Sequence, residues 1–165
     1  MDQGPSGRRW RPTRSGGKKE DADRRRGVGR SRGGLNTKIH AAVEKNGHLA
    51  AMHLSPGQDG DGPHGRALLK SFEPGQIEHV IADTAYDGDE TRDQIRKLQA
   101  KACIKPHKNR KTRKRYDKQR YKHRNQVERF FNRIKQFRRV ATRYEKTLEN
   151  FAGFVWLAAL MVDVL

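Results

Sequence analysis

Cysteine is nearly missing from this sequence: Cys103 is the single one in 165 residues. No intrachain disulfide can form, and the residue suits a reducing compartment as a small core side chain. Aromatic residues make up only 7%, and hydrophobic residues 33% against 34% charged. A chain so poor in apolar side chains cannot build a core along its whole length, so segments without one are expected. Long hydrophobic runs are lacking too. The longest, residues 151–162, is shorter than the roughly 20 residues that span a bilayer, so a buried helix is expected there and no membrane partner. The N-terminus has charges and glycines but no apolar stretch of a secretory leader, and a cytoplasmic location is expected.

Acidic groups are in deficit. Lys and Arg number 37 against 19 Asp and Glu, a formal net charge of +18. The excess is uneven: residues 1–34 carry 11 basic and 4 acidic groups, residues 101–146 carry 19 and 3, and residues 35–100 carry 7 and 10. Two basic segments around a slightly acidic middle point to a polyanionic partner, with nucleic acid favoured over a merely solvated basic surface.

The length suits one domain. Residues 1–34 are rich in Gly, Arg, Ser and Pro and hold few apolar side chains beyond Trp10 and Val28, which predicts a disordered basic arm. From Leu35 the pattern alternates. Thr37, Ile39, Ala41 and Val43 fall on one face and Lys38 and His40 on the other, as in a strand. Asn46-Gly47 signals a tight turn, and residues 49–54 supply the returning strand, so a hairpin is expected over about 37–54. A glycine- and proline-rich loop over 55–63 and a short helix over 65–72 follow. Residues 79–82 read as a buried strand ending at Asp83, residues 88–100 as a helix, and 102–104 as a further strand. The basic run 106–119 has no apolar face and reads as a loop. One long helix is expected over about 119–139, with Val127, Phe130, Ile134 and Phe137 as its buried stripe. A last helix over 148–164 is apolar on most sides and should be packed inside.

On that long helix Tyr121, Arg124, Glu128 and Lys135 are spaced to share one face, roughly opposite the apolar stripe. Glu128 is a carboxylate among cations, and an ion pair with Arg124 four residues earlier is the plain reading of it. Asp83 at a strand end could simply cap the next turn, and Asp87 is an equal candidate for any site role. Seven histidines are scattered without the paired spacing of a zinc site, so none is assigned to metal.

The spacing Tyr121, Arg124, Glu128, Lys135 resembles the helical signature of DDE transposases of bacterial insertion sequences, in the IS-four and IS-five superfamily. The run Ile81-Ala-Asp-Thr-Ala-Tyr-Asp87 is similar to that family's second-carboxylate strand end. Gly29-Arg-Ser-Arg-Gly-Gly-Leu-Asn-Thr-Lys-Ile-His40 and Arg138-Arg-Val-Ala-Thr-Arg-Tyr144 are similar to IS-five-type sequences, so the resemblance runs from about residue 27 to the C-terminus. It implies a ribonuclease-H-like α/β fold, a mixed sheet flanked by helices, over residues 35–165. It also implies metal-dependent DNA cleavage and strand transfer, with Asp83 and Glu128 as catalytic, metal-binding carboxylates. Tyr121, Arg124, Lys135, Arg138 and Arg139 would contact DNA, and Mg²⁺ or Mn²⁺ would bind as a two-metal centre in the complete enzyme. The carboxyl oxygens of Asp83 and Glu128 are then expected within roughly 4 to 8 Å of each other.

The chain departs from that family at its start. None of Asp2, Asp21 and Asp23 follows a strand-like apolar run, so the strand carrying the first catalytic Asp is expected to be missing. The chain reads as a C-terminal fragment, inactive alone, whose partners are DNA, the upstream part of the transposase and, in the complete enzyme, a second copy. Its expected place is the nucleoid. The alternative is a non-catalytic basic protein that binds nucleic acid by its arm and by residues 106–143.

Overall fold

The computed structural model describes residues 22 and 23, 26–112 and 114–164. Most of the expected basic arm, including Trp10, lies outside the described residues. Strands β1 (Gly29–Ser31), β2 (Gly34–Val43) and β3 (Leu49–Pro56) form an antiparallel sheet with β2 in the middle. The ordered sheet thus begins inside the segment expected to be disordered, because residues 29–31 pair with residues 34–36. Between β2 and β3, Gly47 N–H donates to the Glu44 carbonyl and Gly47 sits at φ +94°. A glycine takes this left-handed position without steric cost, which closes a three-residue turn where Asn46-Gly47 predicts one.

Helix α1 (Asp61–Leu69) begins four residues before the expected helix. Parallel strands β4 (His79–Ala82) and β5 (Lys101–Ile104) enclose a 3-10 turn (Thr84–Tyr86) and helix α2 (Asp89–Lys97) between them in sequence. The long helix expected over 119–139 is broken. It runs as α3 (Lys118–Tyr121), a 3-10 stretch (Lys122–Arg124) and α4 (Asn125–Ile134), and a separate short helix α5 (Arg138–Ala141) follows. Phe137 leaves helical geometry at ψ 113°, and the turn it makes folds Val140 back into the core beside Phe130 and Ile134. Helix α6 (Leu148–Val164) matches its expected span.

The architecture is mixed α/β, one antiparallel and one parallel sheet flanked by helices, and compatible with a ribonuclease-H-like fold. Two apolar clusters hold it. In the first, Ile39, Ala41, Val43, Met52 and Leu54 on one hairpin face meet Phe130, Ile134, Val140, Phe151 and Val155. In the second, Leu69, Ile95, Leu98 and Ile104 pack with Val80 and Ala82. The alternation read from the sequence therefore sorts the β2 faces correctly. Helix α6 is less enclosed than expected: Phe151, Val155, Ala158 and Ala159 are buried, whereas Trp156, Leu157, Leu160, Met161 and Val164 are exposed. One face of this helix is enough to seal the first cluster. Among the described residues no helix is long and apolar enough to cross a membrane.

The other hairpin face is polar and covered by α1. His40 is 4% exposed, its Nε2 lies 2.9 Å from Ser55 Oγ and its Nδ1 3.3 Å from the Tyr86 hydroxyl. His53 Nε2 is 3.0 Å from His64 Nδ1, and His64 Nε2 is 3.2 Å from Asp59. Burial first, and the neighbouring His64 second, push the pKa of His40 down to about 4; burial also lowers that of His53. A histidine kept neutral by the fold contributes stability that is complete above its unfolded pKa near 6.5. That contribution is lost as pH falls from there toward about 4. On the order of 2 to 3 kcal/mol is expected from His40. Thermal unfolding followed from pH 7 to 4.5 should show the loss, and His40→Gln should flatten the curve. An equally steep curve in H40Q would place the acid sensitivity elsewhere.

Candidate active site

Strand β4 is apolar and ends at Asp83, whose side chain takes up the first turn beyond it. Asp83 Oδ1 accepts a 2.6 Å hydrogen bond from the Thr84 N–H and caps the 3-10 turn, and the residue stays exposed. The capping role is therefore real, and it engages one carboxyl oxygen. Tyr86 fixes the far side of the turn. Its hydroxyl reaches His40, and its ring lies so close to α1 that a Cβ on Gly65 would come within 2.6 Å of it. Glycine is the residue that permits this approach. Burial, then the charges of Asp61 and Asp83, push the Tyr86 phenol up to about 12.

Asp87, which the sequence leaves equal to Asp83, has a different position. Its side chain is fully buried. It accepts from Arg92 Nε at 2.7 Å and from the His107 N–H at 2.8 Å, and it faces Arg110 at 3.3 Å. Burial alone would raise its pKa, but the His107 N–H and the two guanidiniums outweigh that and hold it below the usual carboxylate range. Asp87 thus ties α2 to the start of the basic loop. Asp87→Ala is expected to cost about 2 to 3 kcal/mol, because it takes the carboxylate from the largely buried Arg92 and leaves the His107 N–H without its acceptor, while Arg110 keeps Asp89. A melting temperature close to that of the unaltered chain would refute this anchoring role.

Across from Asp83 lie α3 and the 3-10 stretch, both in contact with β4. The Asp117 carboxylate starts this segment by capping the N–H groups of Gln119 and Arg120. The Tyr121 phenol lies beside Asp83, and burial, followed by that negative charge, raises its pKa. The Arg124 guanidinium is 6.0 Å from the Tyr121 ring centroid. Arg124 Nη1 meets Glu128 Oε1 at 2.8 Å in the first turn of α4, so the plain ion pair anticipated from the spacing is present. The bond to Glu128 is the main cause that raises the Arg124 pKa, and Asp83 adds to it. Asp83, Tyr121, Arg124 and Glu128 thus form one connected electrostatic group.

Lys135 is exposed at the C-cap of α4. The Arg138 Nε donates to the Tyr144 hydroxyl at 3.1 Å, and Arg139 pairs with the nearly buried Glu145 and stacks on Phe154. Because the helix breaks after Ile134, these two arginines do not continue the face that bears Glu128. The sequence reading missed the Asp87 anchor and the His40, His53 and His64 stack. Both join residues far apart in the chain, and neither has a local signal.

Two carboxylates offer the hard oxygen donors that Mg²⁺ and Mn²⁺ take. Glu128 shares its charge with Arg124, and among the described residues no group of three or more His, Cys, Asp or Glu could hold a metal ion. The described residues alone do not fit one.

Comparison with known proteins bears on what such a group belongs to. The family model "Transposase DDE domain" matches residues 7–162. A protein of Brucella ovis, named as a candidate transposase for insertion sequence element IS6501, is 43% identical over 129 residues, covering 78% of this chain and 98% of that protein. No solved structure matches. A match across nearly the whole length, joined to this identity, shows that the chain belongs to the family of transposase DDE domains, and its function is DNA transposition.

Proposed function

We propose that the chain is the C-terminal part of an IS-five-like transposase in which Asp83 and Glu128 are the second and third catalytic carboxylates. DDE domains generally use divalent metal ions. Bound as a pair, such ions stabilise the attacking and leaving oxygens of a phosphodiester. Here Asp83 and Glu128 would be two of the donors, for Mg²⁺ or Mn²⁺, and the upstream part of the transposase would bring the third. Arg124, now paired with Glu128, would contact a DNA phosphate. Tyr121 would position the strand. Lys135, Arg138 and Arg139 would hold phosphates farther along the duplex. The complete enzyme would act as a homodimer on DNA in the bacterial nucleoid.

The observation that carries this reading is the connection between the two carboxylates. Tyr121 beside Asp83 and Arg124 on Glu128 join a strand end to a helix more than forty residues later. The test is cleavage of a DNA substrate in Mg²⁺ by this chain alone and by a single polypeptide in which the upstream segment precedes it. The fusion is expected to cleave and the isolated chain to remain at background. Strand transfer by the isolated chain would show that the first carboxylate lies within it.

A second reading, a basic DNA-binding protein without catalysis, draws on the ordinary geometry of the Arg124–Glu128 pair. A fusion that binds DNA but never cleaves would favour it.

A further inference from the structure

One basic stretch of the chain takes no part in the group around Asp83. Between Asp23 and Glu44 there is no acidic residue, while Arg24, Arg25, Arg26, Arg30, Arg32 and Lys38 are all cationic. Strands β1 and β2 fold the middle of this stretch into a short antiparallel ribbon, in which Ser31 stands opposite Gly34 and Arg32-Gly33 form the turn. Arg30 stands opposite Leu35. Cross-strand partners share a face, so a cation and an apolar side chain lie together on one side of the ribbon. Arg26, Arg30, Arg32 and Leu35 are all exposed, Leu35 by 62%. None of these three arginines forms an ion pair with a described acidic residue.

The ribbon is held as a fixed projection. At its tip, Ser31 Oγ donates to the Gly34 carbonyl at 3.3 Å and accepts from the Gly33 N–H at 3.3 Å and from Asn36 Nδ2 at 2.6 Å. At its base, Thr37 Oγ1 donates to the Gly27 carbonyl at 2.6 Å, and Arg143 Nη2 donates to the Arg26 carbonyl at 2.7 Å. The Arg143 guanidinium lies over the Phe151 ring, which fastens the ribbon to α6. Gly34 takes φ +99°, a conformation that favours glycine. Gly33 differs: its φ is not positive, and a Cβ there would meet only Ser31 Oγ, at 3.9 Å. Nothing inside the described molecule calls for glycine at that position, whereas close approach of the backbone to an outside partner does.

We infer that this ribbon is a minor-groove contact, in which Arg32 at the turn, with Arg30 behind it, enters the minor groove of duplex DNA.

Shape and charge both select that partner. The minor groove is about 6 Å wide, which excludes the body of a ribbon and admits one extended side chain. A narrow minor groove also concentrates negative potential, and arginine is the side chain it draws in. Gly33 and Gly34 leave the backbone next to Arg32 bare, so the phosphate walls can close on it. Leu35 adds the kind of apolar contact that minor-groove proteins commonly use. The inference goes beyond the catalytic reading. It needs the DNA partner and none of the roles given to Asp83 and Glu128.

The test measures binding of the full chain to two duplexes of equal length, in EDTA so that no metal-dependent step contributes. One duplex is rich in G·C pairs, and the other carries inosine in place of every guanosine. That replacement removes the N2 amino group from the minor groove and leaves the major-groove pattern unchanged. The inosine duplex should bind about threefold tighter, because its minor groove is open to the guanidinium. A chain carrying both Arg30→Ala and Arg32→Ala should bind the two duplexes equally, and roughly tenfold more weakly at about 0.1 M salt. The R30K/R32K chain keeps the charge, so its salt dependence should persist, but it should lose the preference because an ammonium is more strongly hydrated than a guanidinium. Both side chains are exposed, and the melting temperature should hold in both variants. Equal affinity of the unaltered chain for the two duplexes would reduce the ribbon to phosphate contacts and overturn the inference. A preference retained by either variant would place the groove contact elsewhere in the chain and overturn it too. Neither result touches the cleavage test of the fused enzyme, so the two readings stand or fall separately.

Discussion

In the fused, complete enzyme, Asp83→Asn and Glu128→Gln are each expected to remove metal-dependent DNA cleavage. The loss should exceed the roughly 10–100-fold that follows removal of an outer partner at a metal site. Both substitutions keep size and remove charge, so the ion loses a donor while the surroundings stay in place. Stability should hardly change. Asp83 is exposed, and its Asn replacement keeps an oxygen for the Thr84 N–H cap. Glu128 is 57% exposed in its side chain, and an exposed i,i+4 ion pair is worth only about 0.3 to 0.5 kcal/mol. Cleavage, DNA binding and thermal unfolding measured on the same preparations separate the possibilities. Loss of cleavage with binding and melting retained supports the catalytic role. Cleavage that survives Glu128→Gln returns Glu128 to its ion pair with Arg124.

DNA binding by this chain should fall about a thousandfold between 50 and 200 mM salt, the change typical of a protein that makes some six phosphate contacts. The groups that would make them are exposed along the basic loop and the start of the helical segment. Lys105, Lys108, Lys111, Lys114, Arg115, Lys118 and Lys122 are all exposed. None of these seven forms an ion pair with a described acidic residue. Little base preference is expected, because contacts to phosphates carry no sequence information directly. Titration of a fluorescent duplex at several salt concentrations measures the slope. A flat dependence would remove the electrostatic account, and a strong preference for one sequence would reveal a base-reading element.

Local patterns carried much of this protein in the sequence itself. The alternation at Ile39, Ala41 and Val43, the Asn46-Gly47 turn, the apolar run ahead of Asp83 and the span of α6 each depend on neighbours a few residues away. Their reading survives in the structure, except that the strand over residues 79–82 is half-buried where a buried one was expected. The same holds for Tyr121, Arg124 and Glu128: spacing alone puts them on one side of a helical segment, and they stand there despite its 3-10 stretch. Charge segregation and the family resemblance likewise needed no coordinates.

Tertiary structure decided what depends on distant partners. Asp83 and Asp87 are chemically alike and four residues apart, yet one is exposed at a strand end and the other is sealed among Arg92, Arg110 and the His107 N–H. Periodicity carries Phe137 straight along the helix. The helix instead turns after Ile134, since burying Val140 against the first cluster requires the chain to fold back. Histidines without metal spacing become a stack between the hairpin and α1 because pairing across β2 and β3 sets His40 opposite His53. That β2 and β4 do not pair with each other among the described residues has no sequence signature at all. Whether a strand has one neighbour or two is set by which other strands the chain brings to its side, and that is a property of the assembled sheet.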